Sequence, residues 1–195
     1  MKTLTRTTIA GAIAAGCVSL AQAHPGHDGP DLTWDFQSGF AHPFTGLDHI
    51  LTMVAIGWWA VQLGGRARWL VPGVFLLVMT ASAAMARGIV PPPGLEQAIA
   101  ASVVLSGLFL AVAVRMRPTL AAVIVGAFAA FHGLAHGAEM PASASALDYG
   151  AGFVASTAVL LAVGGAAGWA AKRVPQVARV AGAVGCLVGV VLLFA

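Results

Sequence analysis

Past residue 43 the chain is a succession of long apolar runs separated by short polar breaks. The runs cover residues 44–63, 69–86, 94–114, 119–137, 149–170 and 176–194. Each is close to the ~20 residues that an α-helix needs to cross a bilayer. The breaks concentrate Pro, Gly and charge: Gly64-Gly65-Arg66, Arg87 to Pro93, Arg115 to Pro118, Pro141 to Ser145, and Lys172 to Pro175. This pattern predicts an all-α membrane protein with a six-helix transmembrane bundle, whose two mature ends lie on the same side.

The stretch before the bundle has a different pattern. Lys2 and Arg6 make a basic start, Ile9 to Leu20 is a short apolar stretch, and Ala21-Gln22-Ala23 supplies small residues for cleavage. Residues 1–23 read as a cleavable signal peptide, because the apolar stretch is too short for a comfortable retained span. Acylation at Cys17 is disfavoured, since Ala14 stands where a lipoprotein carries a large aliphatic residue. The expected organisation is a signal at 1–23, a His-containing extracytoplasmic segment at 24–43, and a six-span domain at 44–195.

Composition explains which solvent these helices meet. Hydrophobic residues make up 59% of the chain and charged ones only 9%, against about 25% charged in a soluble domain. Lipid is therefore the solvent for most of the chain, and no length remains for a soluble domain. The formal charge of +3 is informative through its placement. Arg66, Arg68, Arg115, Arg117, Lys172, Arg173 and Arg179 fall in or beside the first, third and fifth connections, and only Arg87 falls in an even one. The positive-inside rule puts the odd connections in the cytoplasm and both mature ends outside. No basic face or motif supports nucleic-acid binding. Cys186, the single cysteine beyond the leader, builds neither a disulfide framework nor a thiolate metal site.

All six histidines fall in three clusters. The first span opens with His42-Pro43-Phe44-Thr45-Gly46-Leu47-Asp48-His49. Pro43 suits the first position of a helix, which places His42 at its cap. His42 and His49 are then two turns apart on one face, with Asp48 beside His49 as a ligand or an orienting partner. Met53, one turn below, reads as packing before soft ligation. The fourth span ends with Phe131-His132-Gly133-Leu134-Ala135-His136-Gly137-Ala138-Glu139. His132, His136 and Glu139 stand at i, i+4 and i+7, on one stripe. Gly133 and Gly137 make a small-xxx-small pair that admits a close neighbouring helix, as do Gly164 with Gly168 and Gly185 with Gly189. Both histidine clusters face outward in the expected topology, with His49 and His132 on the order of 10 Å below the helix ends.

A lone intramembrane histidine often only hydrogen-bonds a neighbouring helix. Four of them with an Asp and a Glu point instead to metal, because ionisable residues in a span are costly and usually functional. Imidazole and carboxylate without thiolate suit Ni, Co, Zn or Cu(II) alike. After cleavage, His24 with its free amine and His27 nearby are read as a third, external metal-handling element that captures ions, the alternative being a disordered polar tail. Glu96 and Asp148 read as solvated helix-end charges.

The stretches from His42 to His49 and from Phe131 to Glu139 resemble the two signatures of the HupE/UreJ family of nickel permeases, His-x5-Asp-His and Phe-His-Gly-x-Ala-His-Gly-x-Glu. The likeness extends over signal, His-rich start and spans. It implies that His42, Asp48, His49, His132, His136 and Glu139 carry transport. It also implies a permease that is no enzyme, uses no ATP and holds no permanent cofactor. Its cargo would be Ni(2+), with Co(2+) as the alternative, supplied to hydrogenase or urease maturation. The chain has no Gly-x4-Gly-Lys-Ser/Thr loop. Competing readings are a metal sensor or receptor that moves no ion, and a haem-binding electron carrier, which would not need the carboxylates.

Overall fold

The apolar runs become helices whose ends are set by Pro, Gly and hydroxyl groups. The structure, a computed structural model, describes residues 35–140 and 145–195. The expected signal peptide, His24 and His27 lie outside the described residues. The α-helices are α1 (Phe36–Ala41), α2 (Leu47–Leu63), α3 (Ala67–Ala86), α4 (Leu95–Ala111), α5 (Pro118–Glu139), α6 (Ala146–Ala170) and α7 (Pro175–Leu193), with single 3-10 turns at His42–Phe44 and Ala171–Arg173. Proline opens α5 and α7, where its missing N–H costs nothing. At the start of α6, Ser145 Oγ donates to the Asp148 carboxylate at 2.7 Å.

All six predicted runs are helical, but they differ in length. The helices α3, α5, α7 and the stretch Ala146–Arg173 are each long and apolar enough to cross a membrane. A fifth qualifies when Phe36–Phe44 and Leu47–Leu63 count together, a pair bent by 80°. At 17 residues, α4 is shorter, about 26 Å against a hydrocarbon core of ~30 Å.

Two expected spans thus differ from the helices found, each for a local reason. The first does not begin at residue 44: Gly46 is extended (φ −102°, ψ 124°) and caps α2, so the chain turns sharply between the 3-10 turn and the helix. The third stops at Ala111 because Ala113 adopts a left-handed conformation (φ 51°). Beyond it, Trp59 Nε1 donates to the Val114 carbonyl at 2.9 Å, and the Arg115 guanidinium donates to the Gln62 carbonyl at 2.7 Å. Residues 112–115 therefore fold across the end of α2 instead of extending α4.

The helices associate mainly as close pairs, α3 with α5, α4 with α7, and α2 with α6, while α1 also packs on α6. Glycine permits these approaches. A methyl group at Gly57 would fall on the Leu161 carbonyl, and one at Gly164 on the Val54 carbonyl. Between the pairs lies an apolar core that includes Met53, Trp59, Phe75, Met79, Val125 and Phe153. The first, third and fifth connections meet at one end, where a cavity of about 260 Å³ is lined by Gln62, Arg115 and Lys172 among others. Trp69 and Trp169 are 77% and 71% exposed at that same end. The four described histidines, His42, His49, His132 and His136, gather at the other.

Candidate functional site

His42 occupies the 3-10 turn just before the bend and is half-buried. Thr45 holds that turn, its N–H and Oγ both donating to the His42 carbonyl at 3.0 and 2.7 Å. Tyr149 and Phe153 of α6 wall the His42 ring, each with its centroid 6.0 Å away.

His49 and Asp48 lie in the first turns of α2, both buried. The partial positive charge of a helix N-terminus favours a carboxylate there. Asp48 Oδ1 stands 2.9 Å from His49 Nδ1. An ionised carboxylate only accepts, so Nδ1 carries the proton and neutral His49 keeps its lone pair on Nε2. That Nε2 faces His136 Nε2 across the gap between α2 and α5.

His136 is the hub. Its ring centroid is 4.5 Å from His49, 4.7 Å from His42 and 4.4 Å from Phe153. Its Nδ1 is 3.7 Å from the carboxylate of Glu139, which is exposed at the end of α5. His42, His136 and Glu139 each offer one ligand atom within 4.8 Å of the others. One turn deeper, His132 is 0% exposed. Its ring centroid is 4.9 Å from His49 and 6.1 Å from Phe75. Its Nε2 is 3.0 Å from Ser102 Oγ of α4.

The predicted residues thus converge, but in a different grouping. His42 does not cap the helix of His49, and the two do not share a helical face. The bend carries His42 over to His136, closer than its 6.3 Å to His49. The resulting order from the end inward is His42, His136 and Glu139, then His49 with Asp48, then His132. The glycine pair also has another partner than the histidines do. Gly133 and Gly137 back onto the Met79 and Ala83 carbonyls of α3, which carries no histidine. His132 and His136 each precede one of these glycines and so lie about 100° round the helix from them, on a neighbouring face of α5. Met53 belongs to the apolar core, Glu96 is exposed, and Asp148 is engaged by the Ser145 cap.

Residues not foreseen also reach the cluster: Ser102 of α4, Thr52 of α2, and Tyr149 and Phe153 of α6. Ser102 and Ser106, one turn apart in a run that is otherwise largely apolar, were the available signal. A line of imidazoles with carboxylates at its side, in apolar surroundings, suits a hard-to-borderline divalent ion.

A family model described as HupE / UreJ protein matches residues 12–192. Over 190 residues the chain is 43% identical to Protein HupE of Rhizobium leguminosarum bv. viciae, an alignment covering 96% of this chain and 95% of that protein. No solved structure matches the chain.

Proposed function

The chain belongs to the HupE/UreJ family, and from that premise we propose that it is a transmembrane permease for a divalent transition-metal ion, Ni(2+) first and Co(2+) second. The observation that carries this reading is the convergence of His42, His49, His132 and His136, from distant parts of the chain, inside an apolar bundle. Burying three of these imidazoles, His49, His132 and His136, without a task would be costly. Here they form a descending series.

In this reading a hydrated ion loses water to His42, His136 and Glu139. It passes to His49, which Asp48 orients, then to His132, and leaves toward the basic end. Each station must bind well enough to replace hydration and weakly enough to release. Six crossings, with α4 as a short span and α1–α2 as a broken one, are part of the proposal. So are a cleaved signal at residues 1–23, outward mature ends and a bacterial inner-membrane location. The clustering of basic connections with exposed Trp69 and Trp169 at one end supports a cytoplasmic interface there. His24 and His27 would capture ions outside, and the cargo would serve hydrogenase or urease maturation.

The test is radioactive nickel uptake into proteoliposomes holding the purified protein, against empty liposomes, with cobalt, zinc and copper as competitors. Saturable uptake with nickel or cobalt preferred is the expected result. Tight nickel binding without uptake would make the protein a receptor instead. Acidity gives an independent check. Metal binds the neutral ring, so protons compete with it, and uptake falls as the external solution is acidified. A flat profile would remove imidazole from the path.

A further inference from the structure

The deepest histidine is held by a hydroxyl whose hydrogen bonds can be counted in full. Ser102 lies midway along α4 and is completely buried, as is Thr52 opposite it on α2. Ser102 Oγ is 2.7 Å from the Ile99 carbonyl oxygen, 3.0 Å from His132 Nε2 and 3.5 Å from Thr52 Oγ. A serine hydroxyl has one hydrogen and two lone pairs. The carbonyl can only accept, and it is the nearest partner, so the hydrogen goes there. Both remaining neighbours must then donate: Thr52 through its hydroxyl and His132 through Nε2–H.

That assignment determines the other side of the ring. With its proton on Nε2, neutral His132 presents a bare lone pair on Nδ1, an atom that is buried and has no hydrogen-bond partner among the described residues. The reverse assignment would leave an N–H on Nδ1 with no acceptor. Orphaned buried N–H groups are the rarer and costlier kind. A ring whose far nitrogen is tied by a hydrogen bond while the near one keeps its lone pair is how metal-binding histidines are oriented. His49 shows the mirror arrangement, with Nδ1 tied to Asp48 and Nε2 facing His136.

We propose that Ser102 is a positioning residue that accepts from the Nε2–H of His132 and so presents Nδ1 as the ligand atom of the innermost metal station. The two stations then use opposite ring nitrogens: Nε2 at His49, tied by a carboxylate, and Nδ1 at His132, tied by a hydroxyl. A hydroxyl adds no negative charge to the ring it orients. His132 is thereby the weaker-binding station of the pair, which suits release toward the basic end. The inference rests on the permease reading, yet its first readout does not require transport.

The experiment compares wild type, Ser102→Ala and Ser102→Thr. Nitrogen NMR of ring-labelled, metal-free protein, with the His132 signal assigned by His132→Gln, reports which nitrogen carries the proton. The wild type and Ser102→Thr should show Nε2–H, whereas Ser102→Ala should lose that preference. Nickel uptake should require about tenfold more nickel for half-saturation in Ser102→Ala, with Ser102→Thr near wild type. Nickel binding by calorimetry should weaken in the same order. A wild-type His132 protonated on Nδ1 would overturn the proposal. So would Ser102→Ala with unchanged tautomer and unchanged nickel binding. If the wild type binds nickel but moves none, while Ser102→Ala still shifts both tautomer and binding, the positioning role stands and the permease reading falls.

Discussion

His136→Ala abolishes nickel uptake, with a loss of roughly 100-fold or more at limiting metal. The expectation follows from what the ring touches. His136 meets His42 of the 3-10 turn, His49 of α2 and Glu139 of its own helix. Removing it takes a ligand from the outer group and breaks the bridge to the next imidazole at once. Groups that only orient a metal ligand typically cost 10–100-fold when lost, so a shared ligand should cost at least the upper figure. Asp48→Asn provides the graded comparison. It keeps an oxygen that can accept from His49 Nδ1 but removes the charge, so its loss should fall at roughly 10–100-fold. Uptake is measured in proteoliposomes at matched protein density, with circular dichroism confirming helicity. Wild-type uptake by a folded His136→Ala protein would remove the histidine line from the transport path.

The second large effect is structural. Gly57→Ala or Gly164→Ala should destabilise the bundle and impair uptake together, because each new Cβ meets a backbone carbonyl of the facing helix. No rotamer change moves a carbonyl, so α2 and α6 must separate. Overpacking of this kind costs about 1–3 kcal/mol, offset in part by the ~1 kcal/mol that alanine gains over glycine within a helix. Changing both residues should push the balance clearly toward loss. The α6 partner also carries Tyr149 and Phe153, which wall His42 and, through Phe153, His136, so separation of α2 from α6 disturbs the site as well. Gly73 is the control: nothing lies within 4 Å of a Cβ there, and Gly73→Ala should be neutral or slightly stabilising. Thermal unfolding in detergent reads the stability, and equal melting temperatures for Gly164→Ala and Gly73→Ala would defeat the packing argument.

These two predictions draw on different levels of legibility. Apolar runs of bilayer length showed where α3, α5, α6 and α7 would lie, because helix formation in lipid is dictated by local composition. The i, i+4, i+7 stripe of His132, His136 and Glu139 was readable for the same reason, since 3.6 residues per turn is a local rule. Where the local rule was broken, the reading went astray. Inside an apolar run, Gly46 takes a conformation that starts α2 late and Ala113 one that stops α4 early. Hydropathy does not register a single backbone angle.

The sequence by itself therefore determined an all-helical membrane chain, its imidazole and carboxylate side chains, and the gathering of both histidine motifs at one end. Only the tertiary structure decided which of these side chains stand together. The bend before α2 gives His42 to His136 and Glu139, and leaves His49 to the next level down. It also decided that the glycine pair of α5 serves α3, and that α4 supplies Ser102 to His132. The physical reason is that helical periodicity orders side chains within one helix. Which faces meet depends on how closely distant segments can approach, and that is set by glycines, bends and short helices acting across the whole bundle.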